Sequence, residues 1–528
     1  MAELDRPALT RLLRWTLGAS LLVLVLRLHI ASWSGFGDAE ALYASYALYP
    51  QPAYLDHPGL IGQLARWIGR GNVPTPATAH VFTSVVATLV PALGLWVARA
   101  CGAGWMGALG TALTLTLVPE LSIGLFALSP DLPLAVLWLA TLGFAAVAVR
   151  AEPRSFRALW STLIAGALVG VACLAKVSGA LLGLALLVAW LTPPLRRRWR
   201  TLAPWSAIGV AAVLVAPVVL WEASQGYPML QHRLVTTQAG AGISLRNLGA
   251  LLGGQLAYVT PPFLYAAVLV LRDLWRRRRE DDVSRFLWLC TVVPALPLVA
   301  LCLWSRVAEP HWLAPAYLPL CIHLARGRAV GRKLAIGSLV TGAVVTLLAW
   351  TWVSTPLPVQ LLARHYRARY DLANDLHAWG PGRELIREAV TRALADTRQL
   401  PVVVGPHWIV CAQAQAAIGH TVPVGCNTPL RDDFDRWFPR HRWLDAPVLL
   451  YVQDTRFELD PERELPHRRV TSISRAAVRR GGQIVRTLRI TRLERASQHA
   501  ASPPGVSADS GPDHAAPPPP ATRRPRCW

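Results

Sequence analysis

The chain has 528 residues, of which 53% are hydrophobic and only 16% charged, against roughly 25% charged in an average soluble domain. That much apolar surface cannot be hidden in one water-soluble core, so the composition is that of a polytopic membrane protein. The net charge of +22 excludes no membrane function. Because the arginines cluster between apolar runs, it reads as a topology signal and not as a nucleic-acid footprint.

The first apolar run, at about 12–31, is too long for the core of a signal peptide and follows Arg11 and Arg14. It reads as a retained signal-anchor. Further runs lie at about 78–98, 105–128, 132–149, 158–175, 177–193, 202–221, 250–271, 286–304, 312–325 and 333–353. The stretch from Trp160 to Leu191 is divided at Lys176, giving about 11 spans at roughly 20 residues each. With the N-terminus inside, Arg99, the Arg150–Arg157 group, Arg196 to Arg200, Arg272 to Arg279 and Arg326 to Lys333 all face the cytoplasm, as the positive-inside rule requires. The opposite, outer loops then hold 38–72, 129–131, Lys176, 222–247 and 305–311. The odd span count places everything after Trp352 outside too. The 22 tryptophans suit membrane interfaces, where an apolar ring with one polar tip is favoured.

After residue 353 the character changes. A charge-rich helical stretch covers 360–400, and Pro401-Val-Val-Val, Ala446-Pro-Val-Leu-Leu-Tyr-Val and Gln483-Ile-Val-Arg-Thr-Leu-Arg-Ile read as buried strands. The expected division is therefore a membrane catalytic domain at 1–353, an extracytoplasmic α/β domain at 354–496, and a disordered Pro/Ala-rich tail at 497–528. The eight cysteines form no C-x-x-C pair, which excludes the zinc and thioredoxin signatures. Five lie in or beside apolar runs as small core side chains. Cys411 and Cys426, in the soluble part, are free to pair if that part is extracytoplasmic.

The unusual polar residues fall on the outer side. Asp38, Glu40 and Tyr43 open the first outer loop, and Glu40 and Tyr43 share a helix face if the stretch is helical. Asp56-His57-Pro58 follows, an acid and a histidine that offer two ligands to a divalent metal or a site for phosphate. The bland alternative is a helix N-cap and an interfacial histidine. Asp131 stands in Ser129-Pro130-Asp131, and Lys176 in a short turn where a cation is costly unless it snorkels or meets an anion. His232, Arg233, Glu309 and His311 complete the set. Singly each has a structural explanation; together they look like a site for an anionic, lipid-linked substrate.

These elements resemble those of the GT-C glycosyltransferases of the family 39/83 clan, which holds the protein O-mannosyltransferases and the aminoarabinose transferases of lipid A. The similar elements are Asp38-Ala-Glu40-Ala-Leu-Tyr43, Tyr54-Leu-Asp56-His57-Pro58, Ser129-Pro130-Asp131, Leu174-Ala-Lys176 and Glu309-Pro-His311-Trp312-Leu-Ala-Pro-Ala-Tyr317. They occur in the family's order across about 10–325. The family's adjacent Asp-Glu is split here by Ala39, Gly59 replaces a second proline, and His311 replaces an asparagine.

The resemblance implies a GT-C fold with outer juxtamembrane helices, in a multi-pass protein of the inner cell membrane. It implies an inverting transfer of a sugar from a polyprenyl-phosphate donor to a lipid, glycan or protein acceptor on the outer face. Asp38 or Glu40 would be the base, and Asp131 would orient acceptor or sugar. Tyr43, Lys176, His232, Arg233, Glu309 and His311 would surround the sugar phosphate, with Asp56 and His57 binding either a divalent metal or the phosphate. Two other classes compete. A lipid-linked sugar flippase would place its polar groups at the midplane of broken helices and carry internal repeats, and none is visible in the sequence. An envelope scaffold has no use for acids and Lys176 at the mouths of spans.

Overall fold

The computed structural model describes residues 6–495 except 194, 308, 327 and 328; the tail expected at 497–528 lies outside them. The membrane part begins with α1 (Arg6–Ala31), whose face bearing Trp15, Leu17 and Leu21 is exposed. Two short helices, α2 (Asp38–Ser45) and α3 (Leu60–Ile68), follow. Thr75 caps α4 (Pro76–Ala87), with Pro76 at the first helical position where its missing N–H costs nothing. The run continues past Thr88 as α5 (Leu89–Ala100). Next come α6 (Trp105–Leu117), α7 (Pro119–Gly124), α8 (Asp131–Arg150), α9 (Phe156–Ala175), α10 (Gly179–Leu191) and α11 (Leu202–Ser224). A single turn, α12 (Pro228–Gln231), runs into a π-helical turn at His232–Thr236. Then follow α13 (Leu245–Tyr258), α14 (Pro261–Arg277), α15 (Asp282–Trp304), α16 (Ala314–Arg326) and α17 (Arg332–Ser354).

All eleven apolar runs of the sequence fold as helices, but unequally. Among the described residues seven helices, counting α4 with α5, are long and apolar enough to cross a membrane, and an eighth is the pair α13–α14, bent by 98°. The bend falls at Thr260, whose φ of +73° lies in the left-handed region, just before Pro261. Helices α6, α10 and α16 have 13 residues each, about 20 Å of rise against a hydrocarbon core of about 30 Å. Helix contacts use small residues. A Cβ on Gly166 would lie 2.5 Å from the Ala207 carbonyl oxygen, so α9 and α11 approach closely only because that position is bare. The membrane core centres on Trp138, Leu139 and Leu142 of α8.

The C-terminal part contains α18 (Leu357–Leu362), α19 (Ala373–Thr397), α20 (Trp408–Ile418) and α21 (Asp433–Trp437) around a five-stranded sheet. The strands β1 (Val402–Gly405), β2 (Val424–Cys426), β3 (Val448–Asp454), β4 (Arg468–Arg480) and β5 (Gln483–Arg495) take the order β2-β1-β3-β5-β4. β1 is parallel to β2 and β3, while β5 is antiparallel to β3 and β4. The β4–β5 hairpin turns through Gly481 and Gly482, both at positive φ as a two-residue type I′ connection requires. The Cys411–Cys426 disulfide ties α20 to β2.

This domain does not sit apart from the membrane helices. Phe36, Ala41, Leu42 and Tyr46 share one apolar core with Trp379, Val410, Ala414 and Leu488. Backbone and side chains lock the same face. Gly35 N donates to Leu376 O at 2.7 Å, and Gln413 Nε2 to Phe36 O at 2.9 Å. Buried Arg480 reaches Asp371 at 2.8 Å and the Trp352 and Thr355 carbonyls at the end of α17. The loop carrying α2 and α3 is thus packed into the domain that follows residue 353. The bundle's opposite end is closed by arginines on carbonyls and acids: Arg150 to Ala100 O, Arg198 to Val149 O and Ala151 O, and Arg326 to Asp281.

Candidate active site

The domain end of the bundle encloses a cavity of about 1860 Å³. Its first wall is the loop after α2. Tyr54 N bonds His57 O at 2.8 Å and Ala53 bridges Pro58, a tight turn that presents Asp56 and His57. Tyr54 itself stacks on Tyr46 with ring centroids 3.6 Å apart. Tyr43, one helical turn past Glu40 on α2, bonds His57 Nε2 at 3.0 Å. Across from this turn, the π-helical residues His232 and Arg233 face Asp56. Arg233 donates Nε to the Asp56 carbonyl at 3.0 Å and pairs with its carboxylate at 3.1 Å, while His232 stands 3.7 Å from that carboxylate. π-Turns are frequent at functional sites because they break the helical register. Burial, with Arg233 and Lys176 adding to it, pushes the His57 pKa well below the ordinary value, so this imidazole is neutral.

The second wall is built from span ends. Asp131 opens α8, and Lys176 terminates α9 in an extended conformation. They meet at 2.6 Å, with the lysine side chain 13% exposed and the aspartate 30%. Lys176 also lies 5.8 Å from the Trp312 ring centroid. His311, in the turn before α16, places Nε2 3.7 Å from Asp131 and Nδ1 3.0 Å from Glu309. Burial alone would depress the His311 pKa, but the Glu309 hydrogen bond and the Asp131 charge raise it above its usual value. The same hydrogen bond holds the Glu309 carboxyl below its own. The result is an alternating chain of charges along one wall, the pairing that offsets the cost of a half-buried cation.

Nine residues singled out in the sequence therefore meet on one cavity: Tyr43, Asp56, His57, Asp131, Lys176, His232, Arg233, Glu309 and His311. The two acids expected to be the base do not line it. Glu40 is buried and accepts three hydrogen bonds, from Gly37 N at 2.7 Å, Leu128 N at 2.7 Å and His80 Nε2 at 2.9 Å. Asp38 points into the domain interface, where Arg456 holds both its oxygens at 2.6 and 3.1 Å. Arg456 also contacts Asp375 and Asp454, and Arg486 bonds the same two carboxylates. Burial among these acids lifts Asp375 to about 8. The wall residue at this point of α2 is Ala39. The pairing face of an amphipathic first turn is set by its packing partner, and here the domain takes one acid and α4 the other.

Sequence reasoning missed Glu120, Tyr258, Arg306 and the Asp432-Asp433 pair, all on the cavity wall. Glu120 was the one legible case, a lone acid inside the apolar run 105–128. Asp433 accepts from Tyr46 Oη at 3.1 Å and Leu55 N at 3.2 Å. Burial, with the charge of Asp56, pushes it up to about 7. The two-ligand metal reading of Asp56 and His57 does not gain a third ligand. Among the described residues no group of three or more His, Cys, Asp or Glu side chains stands together to hold an ion. Asp56 faces Arg233, and His57 Nε2 faces Tyr43. Each of the two side chains is thus already held by a protein partner.

Residues 73–221 match the sequence model of the family described as dolichyl-phosphate-mannose-protein mannosyltransferase. No curated protein matches the chain in sequence. Among solved structures, ArnT from Cupriavidus metallidurans bound to undecaprenyl phosphate superposes with a TM-score of 0.62 at 15% identity, covering 90% of this chain and 98% of that one. The apo state of the same ArnT gives 0.60 at 16% identity, with 90% and 97% covered. At that identity the likeness is one of fold.

Proposed function

We propose, for a chain that has the fold of the GT-C membrane glycosyltransferases and a segment matching the dolichyl-phosphate-mannose-protein mannosyltransferase family, an inverting transfer of a sugar from a polyprenyl-phosphate donor to a cell-envelope acceptor. The observation that carries this reading is the Lys176–Asp131 pair on a cavity of about 1860 Å³. Ligand pockets usually hold about 300–1000 Å³, so this one has room for a sugar phosphate together with part of a lipid and an acceptor. The bound lipid of ArnT, undecaprenyl phosphate, is of the chemistry this wall suits.

In that reaction an acceptor hydroxyl attacks the sugar C1, its proton passes to a carboxylate, and the bond from C1 to the phosphate oxygen breaks with its electrons left on the phosphate. Lys176 and Arg233 stand where that charge collects. Preorganised cations in a water-poor cavity are worth far more than in bulk water. Asp131 holds the Lys176 ammonium and is at hand to orient acceptor or sugar. Neutral His57 and Tyr43 serve as hydrogen-bonding partners of the head-group.

The arginine-rich end opposite the cavity supports a cytoplasmic assignment for that end, and hence an extracytoplasmic domain with an intact disulfide. The proposed division is a membrane unit at 1–353 carrying the cations and a domain at 354–496 that roofs the cavity through α21. Purified wild type should release label from a polyprenyl-phosphate sugar, and Lys176→Ala should do so at least about 100-fold more slowly. Equal rates would refute the assignment.

A further inference from the structure

The cavity wall carries six acids: Asp56, Glu120, Asp131, Glu309, Asp432 and Asp433. Five are committed. Asp56 is paired with Arg233, Asp131 with Lys176 and Glu309 with His311. Asp432 caps α21 and Asp433 accepts from Tyr46 and Leu55. Glu120 has neither a hydrogen bond nor an ion pair among the described residues, although it is half-buried beside that charged wall. A carboxylate left unpaired in such a place is costly, and cost without structural return marks function.

A second observation comes from α1. Arg27 is 3% exposed, about one turn before the C-terminal end of the apolar span α1. It donates Nε to Ser122 O at 3.0 Å and Nη2 to Leu121 O at 2.8 Å and to Ser122 O at 2.6 Å. These carbonyls immediately follow Glu120 in α7, a helix of six residues. A guanidinium buried near the end of a span is expensive, and among the described residues its hydrogen bonds fix the backbone that presents Glu120. A third observation is negative at the first turn of α2: the wall position there is Ala39, with both neighbouring acids turned away.

We propose that Glu120 is the carboxylate that takes the proton from the acceptor hydroxyl, and that Arg27 is its positioning residue. The inference rests on the transferase reading above. As the acceptor oxygen bonds to C1 and the phosphate leaves, the hydroxyl proton moves to Glu120 Oε. The negative charge ends on the phosphate, facing Lys176 across the cavity.

The test uses the purified full chain in proteoliposomes with a labelled undecaprenyl-phosphate sugar, alongside binding of undecaprenyl phosphate itself. Glu120→Gln should keep undecaprenyl-phosphate affinity within about 3-fold and lose about 10²- to 10⁴-fold in kcat, the usual range for a general base. Arg27→Leu should lower kcat with the donor KM little changed, and Arg27→Lys should recover part of it, which a purely structural cation would not require. If wild type consumes donor and Glu120→Gln matches it within about 3-fold with intact affinity, Glu120 is not the base and the transferase reading stands. If wild type consumes no donor, the transferase reading fails first. If Glu120→Gln loses affinity and turnover together, Glu120 binds substrate and the base assignment is overturned.

Discussion

At the residue scale, Lys176 and Glu40 illustrate how differently two charged side chains beside a membrane are used. Lys176 has one carboxylate at 2.6 Å and a cavity in front of it, so its charge is available to a ligand. Glu40 is turned inward, where both its oxygens accept hydrogen bonds from Gly37, Leu128 and His80. Its replacement by leucine should cost about 3–5 kcal/mol in stability, since the donors around it lose a buried charge, and a melting curve of the detergent-solubilised protein checks this. Asp433 gives a pH prediction. Its folded pKa of about 7 stands above the value near 3.9 of an unfolded aspartate. The native state therefore binds the extra proton, and stability contributed here falls as pH rises from about 4 to about 7. Asp433→Asn should flatten that part of the stability–pH curve; an unchanged slope would place the titration elsewhere.

The same residues show what the sequence disclosed. Lys176 and Asp131 were legible because a charge between two apolar runs has few cheap explanations. The destinations of Asp38 and Glu40 were not, because helical spacing gives a face but not what packs on it. The deciding partners, Arg456 and His80, lie 418 and 40 residues away. Arg27 went unremarked inside its span, since only its carbonyl partners on α7 give it meaning.

At the element scale, the eleven apolar runs all became helices, and the bend at Thr260 and the 13-residue lengths of α6, α10 and α16 came from outside the hydropathy pattern. The strands β1, β3 and β5 were visible as apolar runs. β4 was not: its sequence Arg468-Arg-Val-Thr-Ser-Ile-Ser-Arg forms an edge strand with most side chains in solvent, and arginine-rich edges resist pairing with other chains. β2, three residues long, is held by β1 and the Cys411–Cys426 bridge. That bridge closes a sequence separation of 15, for which chain entropy predicts about 3 kcal/mol. A Cys411→Ser/Cys426→Ser protein should melt lower by several degrees. If its melting temperature is unchanged, the bridge contributes nothing to the domain.

At the scale of the whole molecule, a bundle that holds the cations packs against a C-terminal part that covers them. Asp38 is one of the joints, bonded to Arg456 across the interface. Asp38→Ala should loosen the domain, read as faster proteolysis after residue 353, while undecaprenyl-phosphate binding to the bundle's Lys176 wall persists. That the chain is a polytopic helical membrane protein was readable from composition, because the bilayer restricts spanning architecture so tightly, whereas the GT-C fold was implied only by the resemblance of its polar elements. Cavity shape required coordinates, since its walls come from helices far apart in sequence.

The most direct test is to give wild-type protein in proteoliposomes a radiolabelled undecaprenyl-phosphate sugar and follow both release of the sugar and its movement across the bilayer. Donor consumed by wild type and lost by at least about 100-fold in Lys176→Ala is the predicted result. Donor left intact while lipid-linked sugar crosses the bilayer would contradict the account and identify a flippase.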